Sequence, residues 1–358
     1  MKETLFSVGP VMMDEEIKNI GGEQLPYFRT EEFSKINLEN EKMLKEICYA
    51  EENSKVITLT ASGTGAMEAS ILNCFNDKDK LLIIVGGGFG HRFAEICDIY
   101  ELEYDIVRLD NGMTVTEEIM KNYEDKGYTA LIVNAHETST GVLYDLNMLG
   151  QFCKRNNMYF IVDAISSFLA DEYYMEKWGI DLTIISSQKA IALPPGLSLV
   201  VLSNRIIKKI NENKIKSLYF DFKIYLKNME RGQTPFTPAV GIILQLHEAL
   251  IKIKKYGVQN SIQDIKKLAE YFRENIKELP FDIPSESLSN CLTPLKPKKN
   301  NAYDIYMYLK SNYGIVLCPN GGELRNSLVR VGHIGDLSIK DIDKLIRALN
   351  DMNRKGLI

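Results

Sequence analysis

Between residues 35 and 205 the chain repeats one pattern, in which a short apolar run rich in β-branched residues gives way to a stretch with helical spacing. The runs are 56-VITLT-60, 81-LLIIV-85, 105-DIVRL-109, 130-ALIVNA-135, 159-YFIVDA-164, 182-LTIISS-187 and 198-SLVVLS-203. Most are too uniformly apolar for a strand with one wet face, so they predict strands buried on both faces of a parallel or mixed sheet. Helices predicted at roughly 35–49, 65–75, 90–101, 115–124 and 145–156 would cover those faces. The fold class that follows is α/β, a mostly parallel seven-stranded sheet between helices. Residues 217–239 are aromatic and Pro-rich and read as loop, ahead of a long helical stretch from about 240 to 279. After residue 285 the order strand, helix, strand, strand, helix predicts a smaller C-terminal α/β domain. The expected division is an N-terminal segment 1–15, a large domain 16–255 and a small domain 256–358.

Composition narrows the function. A net charge of −5, with both signs spread along the chain, gives no reason to expect nucleic acid or an anionic membrane as partner. No apolar run approaches a membrane span and the first residues lack the apolar core of a signal peptide, so a cytoplasmic protein is expected. Six scattered cysteines without a CxxC pair fit reduced, buried thiols. Four histidines stand at no metal-ligand spacing, and where a zinc-protease helix would need a second His after His136-Glu137, position 140 is Thr. No metal site is expected.

Chemistry concentrates at the ends of the apolar runs. Asp163 and Lys189 close two of them, and ligands gather at the C-terminal edge of such sheets. An amine and a carboxylate placed there suit pyridoxal phosphate, joined to the lysine while the aspartate keeps its pyridine nitrogen protonated. Either residue taken alone is equally consistent with a helix cap or a solvated strand end. The segment 60-TASGTGAMEAS-70 follows a strand and opens a helix, so N–H groups at Ser62, Gly63 and Thr64 can converge on an anion. It lacks the lysine of a P-loop. The glycines of 86-GGGFGHR-92 miss the spacing of a dinucleotide fingerprint, while Phe89 there suits stacking on a flat ring or packing into the core. The turn 134-NAHETSTG-141 offers hydroxyls at Thr138, Ser139 and Thr140.

Together, SGTGAMEA (62–69), HETSTG (136–141), VDAISS (162–167) and SSQKA (186–190) resemble the class V aminotransferases, pyridoxal-phosphate enzymes of fold type I. The similarity extends from Gly9-Pro10 to 328-LVRVGHIGD-336, and is nearest to 2-aminoethylphosphonate–pyruvate and serine or alanine–glyoxylate aminotransferases. The resemblance implies that Lys189 binds the cofactor covalently and later shuttles a proton, and that Asp163 pairs with the ring nitrogen. Ile165 and Phe89 would take opposite ring faces, Ser62, Gly63, Thr64 and Gln188 the phosphate, and Thr138 the phenolic oxygen. Thr237 would reach the phosphate of a neighbouring subunit, which implies a homodimer with shared sites.

By the same resemblance Arg330 would clamp the substrate carboxylate, for which a guanidinium fork is well suited. A phosphonate would want a second cation, for which Arg29 is preferred over Arg92. Gln188, where desulfurase relatives carry His, favours transamination, although Cys318 leaves a second thiol chemistry to consider. The expected reaction takes the amino group of 2-aminoethylphosphonate to pyruvate, giving phosphonoacetaldehyde and L-alanine. Serine or alanine–glyoxylate transamination, a pyridoxal-phosphate lyase and an inactive binding module are the alternatives.

Overall fold

The structure is a computed structural model and describes residues 3–358. Its strands, in chain order, are β1 (Thr4–Phe6), β2 (Lys55–Leu59), β3 (Lys80–Val85), β4 (Glu103–Arg108), β5 (Ala130–Asn134), β6 (His136–Glu137), β7 (Val142–Leu143), β8 (Tyr159–Asp163), β9 (Leu182–Ser186), β10 (Ser198–Leu202), β11 (Phe281–Asp282), β12 (Leu292–Pro297), β13 (Ile315–Pro319) and β14 (Val329–Gly332). The seven predicted runs form one sheet in the order β2-β10-β9-β8-β5-β3-β4. All its neighbours pair parallel except β10, which runs against both β2 and β9.

The apolar runs need to be continuous because the two faces feed two separate cores. Leu82, Ile84, Leu131, Val133, Phe160 and Val162 point to one core, with Met120, Leu149 and Phe152 from the helices Glu117–Lys121 and Leu146–Arg155. Their neighbours Leu81, Ile83, Ile132 and Ile161 point to the other, beneath the helices Gly63–Cys74 and Gly88–Ile99. Each fully buried side chain of this kind stabilises the fold by roughly 1.5–3 kcal/mol.

The second sheet has the order β1-β13-β14-β12-β11 and lies against the helices Val258–Asn275, Ala302–Tyr313 and Ile339–Arg354 through Phe272, Leu309, Leu345 and Leu349. Its outermost strand on one side comes from the chain's beginning, since β1 pairs parallel with β13. The helical stretch 240–279 is in fact two helices, Val240–Tyr256 and Val258–Asn275, divided at Gly257, whose φ of 100° no other residue adopts readily. The stretch expected as loop contains the helix Phe222–Met229, capped by Asp221 and anchored by the buried Phe222 and Tyr225.

Candidate active site

The strand order of the large sheet reverses at β3: the chain goes from there to the edge strand β4 and returns on the other side as β5. The loops after β3 and β5 therefore diverge and open a crevice at the C-terminal edge, the usual ligand position in such sheets. Phe89 follows β3, Thr138 follows β5, Asp163 ends β8 and Lys189 lies just beyond β9.

Asp163 is 5% exposed and accepts one hydrogen bond, from the Ile165 N–H at 2.8 Å. Burial pushes its carboxyl up to about 7, with Glu137 adding to the rise and the Ile165 N–H and Lys189 opposing it. Lys189 is half-buried, and desolvation, aided by the Arg330 charge, holds its ammonium below the ordinary value against the pull of Cys291, Cys318 and Asp163. An amine that loses its proton more easily is a better nucleophile. A buried carboxylate with a single donor is short of partners, and a protonated ring nitrogen would supply one.

Ser62 caps the helix Gly63–Cys74 by accepting from the Gly65 N–H. A Cβ on Gly63 would lie 2.5 Å from Ile165 Cδ1 and 2.8 Å from Ser186 Oγ, so the helix start packs directly on the side chain expected against one ring face. Thr64 Oγ1 accepts from Arg92 at 3.3 Å, which brings a guanidinium to the cradle. Ile165 and Phe89 are each half-buried, and Phe89 belongs to no aromatic pair and no apolar core cluster, unlike a core phenylalanine. These features fit a flat cofactor with an anionic tail.

The segment 136–141 holds the crevice together. Glu137 is fully buried and accepts from the N–H groups of Phe89 (3.2 Å), Gly90 (3.0 Å) and Ser139 (3.1 Å), and from Asn134 Nδ2 (3.2 Å). A carboxylate there satisfies the open N–H groups of the helix Gly88–Ile99 and complements its dipole. The glycine run 86–88 lets Glu137 and Ser139 approach so closely that a Cβ on Gly87 would collide with Ser139 Oγ and Glu137 Cδ. Thr138 is buried, and its hydroxyl lies 2.9 Å from Ser166 Oγ.

Arg330 sits on β14, the middle strand of the small sheet, with 8% of its surface exposed. It donates to the carbonyls of Thr138 (3.0 Å) and Pro319 (2.7 Å), while its buried Nε has no partner. Asn320 makes a parallel bridge to the Ser139 carbonyl at 3.1 Å. Cys318 stands opposite Arg330 across the β13/β14 ladder. The structure does not bring Arg29 to this group: it donates to Gln233 Oε1, the Thr234 carbonyl and the Pro235 carbonyl, and covers the Phe28 ring. Arg29 thus braces the segment leading to Thr237, which is itself exposed and makes no side-chain hydrogen bond among the described residues. Gln188 is half-buried, also without a side-chain partner among the described residues. A separate cleft of about 440 Å³, lined by Lys154, Trp178, Asp181 and Arg205 among others, opens at the opposite edge of the sheet and contains none of these residues.

Glu137, His136 and Ser166 stand beside these residues with no role legible from the sequence, although each lies inside HETSTG or VDAISS. The available signal was a carboxylate three residues beyond an inner strand, where burial demands partners.

A family model described as aminotransferase class-V matches residues 26–323. An uncharacterised aminotransferase of Methanocaldococcus jannaschii is 30% identical over 96% of this chain and 90% of its own length. An alanine–glyoxylate aminotransferase of Oryctolagus cuniculus is 27% identical over 97% of this chain and 91% of its own. The solved structure of an alanine–glyoxylate aminotransferase from Nostoc sp. superposes with a TM-score of 0.92 at 25% identity, covering 98% of this chain and 95% of that one.

Proposed function

The chain belongs to the class-V aminotransferase family, and from that premise we propose that it moves the amino group of a small α-amino acid, L-alanine or L-serine, to glyoxylate or pyruvate. It is a pyridoxal-phosphate-dependent enzyme of fold type I. The observation that carries the substrate reading is the single clamp: Arg330 is buried with a donor to spare, whereas Arg29 is committed to the 233–235 segment and Arg92 to Thr64 and Glu95. One guanidinium serves one carboxylate, which donor and acceptor share in turn. The names of the rabbit and Nostoc relatives support the same donor class.

The cofactor, when bound, supplies an electron sink for the substrate's α-carbon. Lys189 would hold it through Nζ and, as a free amine, would accept at that atom the proton that leaves the substrate's α-carbon. Asp163 keeps the ring nitrogen protonated, and that nitrogen's charge in return favours the ionised carboxylate. Ile165 and Phe89 hold the ring flat, Ser62, Gly63, Thr64 and Gln188 hold the phosphate, and Thr138 meets the phenolic oxygen. Thr237 serves the neighbouring subunit of a homodimer, consistent with its exposure and lack of a partner. Six free cysteines, five of them buried, support a reducing, cytoplasmic setting, and no helix among the described residues is long and apolar enough to cross a membrane.

The test is a half-reaction with the yellow loaded enzyme. Bleaching by L-alanine or L-serine, reversed by glyoxylate or pyruvate, is the expected result. Bleaching by 2-aminoethylphosphonate alone, the donor of the enzymes that 330-RVGHIGD-336 resembles, would overturn it, and bleaching by none would reopen the lyase. Borohydride reduction followed by peptide mass analysis should find the cofactor on Lys189 and not in Lys189→Ala.

A further inference from the structure

His136 is 2% exposed and begins the turn that carries Thr138. Its Nδ1 lies 3.0 Å from Ser166 Oγ, and Ser166 Oγ lies 2.9 Å from Thr138 Oγ1, so three side chains form one file; the His136 carbonyl stands 3.4 Å from each hydroxyl as a longer, weaker acceptor. At the far end, His136 Nε2 is buried with no partner. Only one hydrogen is available at each link, and the contacts of 3.0 and 2.9 Å are favoured over the 3.4 Å carbonyl, so the ring nitrogen that carries the proton sets the preferred direction of the file. If Nδ1 accepts, Ser166 spends its hydrogen on the ring, Thr138 spends its own on Ser166, and Thr138 can only accept from the crevice. If Nδ1 donates, Ser166 donates to Thr138, and the Thr138 hydrogen has only the distant His136 carbonyl, at 3.4 Å, to compete with an acceptor in the crevice.

Two features select the second arrangement. Placing the proton on Nε2 would bury an N–H without an acceptor, which folded proteins avoid more strictly than an unused acceptor. The imidazole is also held neutral: burial, reinforced by the charges of Lys189, Arg330 and Arg273, pushes it down to about 3, so both nitrogens are not protonated at once. Glu137, the nearest carboxylate in sequence, does not compensate, because its oxygens are occupied by Phe89, Gly90, Asn134 and Ser139.

We propose that His136 is a positioning residue that, as the Nδ1-H tautomer acting through Ser166, keeps the Thr138 hydroxyl a donor toward the cofactor's phenolic oxygen. A donor there stabilises the oxygen's negative charge most when the adjoining lysine-linked nitrogen has lost its proton. His136 therefore tunes the protonation equilibrium of the bound chromophore without touching it. This rests on the cofactor placement proposed above, and the experiment separates the two.

First, ¹⁵N NMR of the cofactor-free protein with labelled histidine, assigned by loss of the signal in His136→Phe, reports the tautomer without any cofactor. A protonated Nδ1 is expected, and a protonated Nε2 overturns the proposal. Second, the absorbance of the loaded enzyme is titrated with pH. His136→Phe, Ser166→Ala and Thr138→Val should each raise the chromophore's midpoint by about one pH unit, a tenfold change in that equilibrium. The double variant His136→Phe/Thr138→Val should add nothing further, because both act through one hydroxyl. If Thr138→Val shifts the midpoint and Ser166→Ala does not, the relay is overturned while the cofactor placement stands. If no variant forms a lysine-linked chromophore and neither does the parent protein, it is the functional reading that fails. Ser166→Ala removes a single oxygen and keeps the test open should His136→Phe not fold.

Discussion

Asp163→Asn should stabilise the cofactor-free protein above neutral pH, even though it removes a residue proposed for catalysis. In the unfolded chain the carboxyl ionises near its ordinary value of 3.8, whereas burial raises it to about 7 in the fold. The folded state therefore retains a proton across this window that the unfolded state gives up. The stability contributed by the protonated group is fully present below about pH 4 and is lost as pH climbs to about 7. A displacement of roughly three units corresponds to about 4 kcal/mol at most. Asparagine keeps an acceptor for the Ile165 N–H and is never charged, so it should recover roughly 2–4 kcal/mol at pH 8. With an unfolding entropy of about 2.1 cal/mol/K per residue, this is a rise in Tm of roughly 3–5 °C. Scanning calorimetry of both cofactor-free proteins from pH 4 to pH 8 checks it. The gap should open with rising pH and flatten above about 7, and turnover of the loaded variant should fall. A gap that is absent, or the same at pH 5 and pH 8, would falsify the claim that an unpaired buried charge waits at this position.

Gly63→Ala should weaken cofactor affinity by about tenfold, roughly 1.4 kcal/mol, because the new methyl must displace Ile165 Cδ1 and Ser186 Oγ. Equilibrium dialysis against free cofactor reads it, and unchanged affinity would mean that Ile165 yields without cost. Glu137→Gln should cost about 3 kcal/mol of stability and speed amide exchange at Phe89 and Gly90. Exchange unchanged at those two residues would show that the helix start does not depend on the carboxylate. Arg330→Lys should raise the KM for the 2-oxo acid by about 10- to 100-fold, the loss of a bidentate charged pair worth roughly 1.5–3 kcal/mol. An equal loss with an uncharged aldehyde acceptor would contradict a carboxylate clamp.

The large sheet was legible because each inner strand is buried on both faces and so leaves an unbroken apolar run. Phe160 and Ile161 feed opposite cores, yet both must be apolar. β1 and β11 left no such trace, since a three-residue and a two-residue strand are too short for periodicity to show. Asp163, Lys189 and the Ser62–Gly63–Thr64 turn were legible as breaks in apolar or helical pattern at strand ends. The place of Arg29 was not: its partners Gln233, Thr234 and Pro235 lie some 200 residues away and nothing local announces them. The role of Glu137 was not legible either, because its donors include Phe89 and Gly90, 48 and 47 residues away, which nothing beside it in the sequence announces.

The pairing of β1 with β13 also bears on how the chain is made. Thr4 and Ile315 are neighbours in space but emerge from the ribosome about 310 residues apart. Closing a loop of that length costs about 5 kcal/mol in chain entropy, against what three residue pairs return. The first strand must therefore stay unpaired through most of synthesis, while the large sheet between its ends completes from nearer neighbours. Pro319, whose carbonyl holds Arg330, ends the strand that β1 borders, so the surroundings of the proposed clamp are completed late.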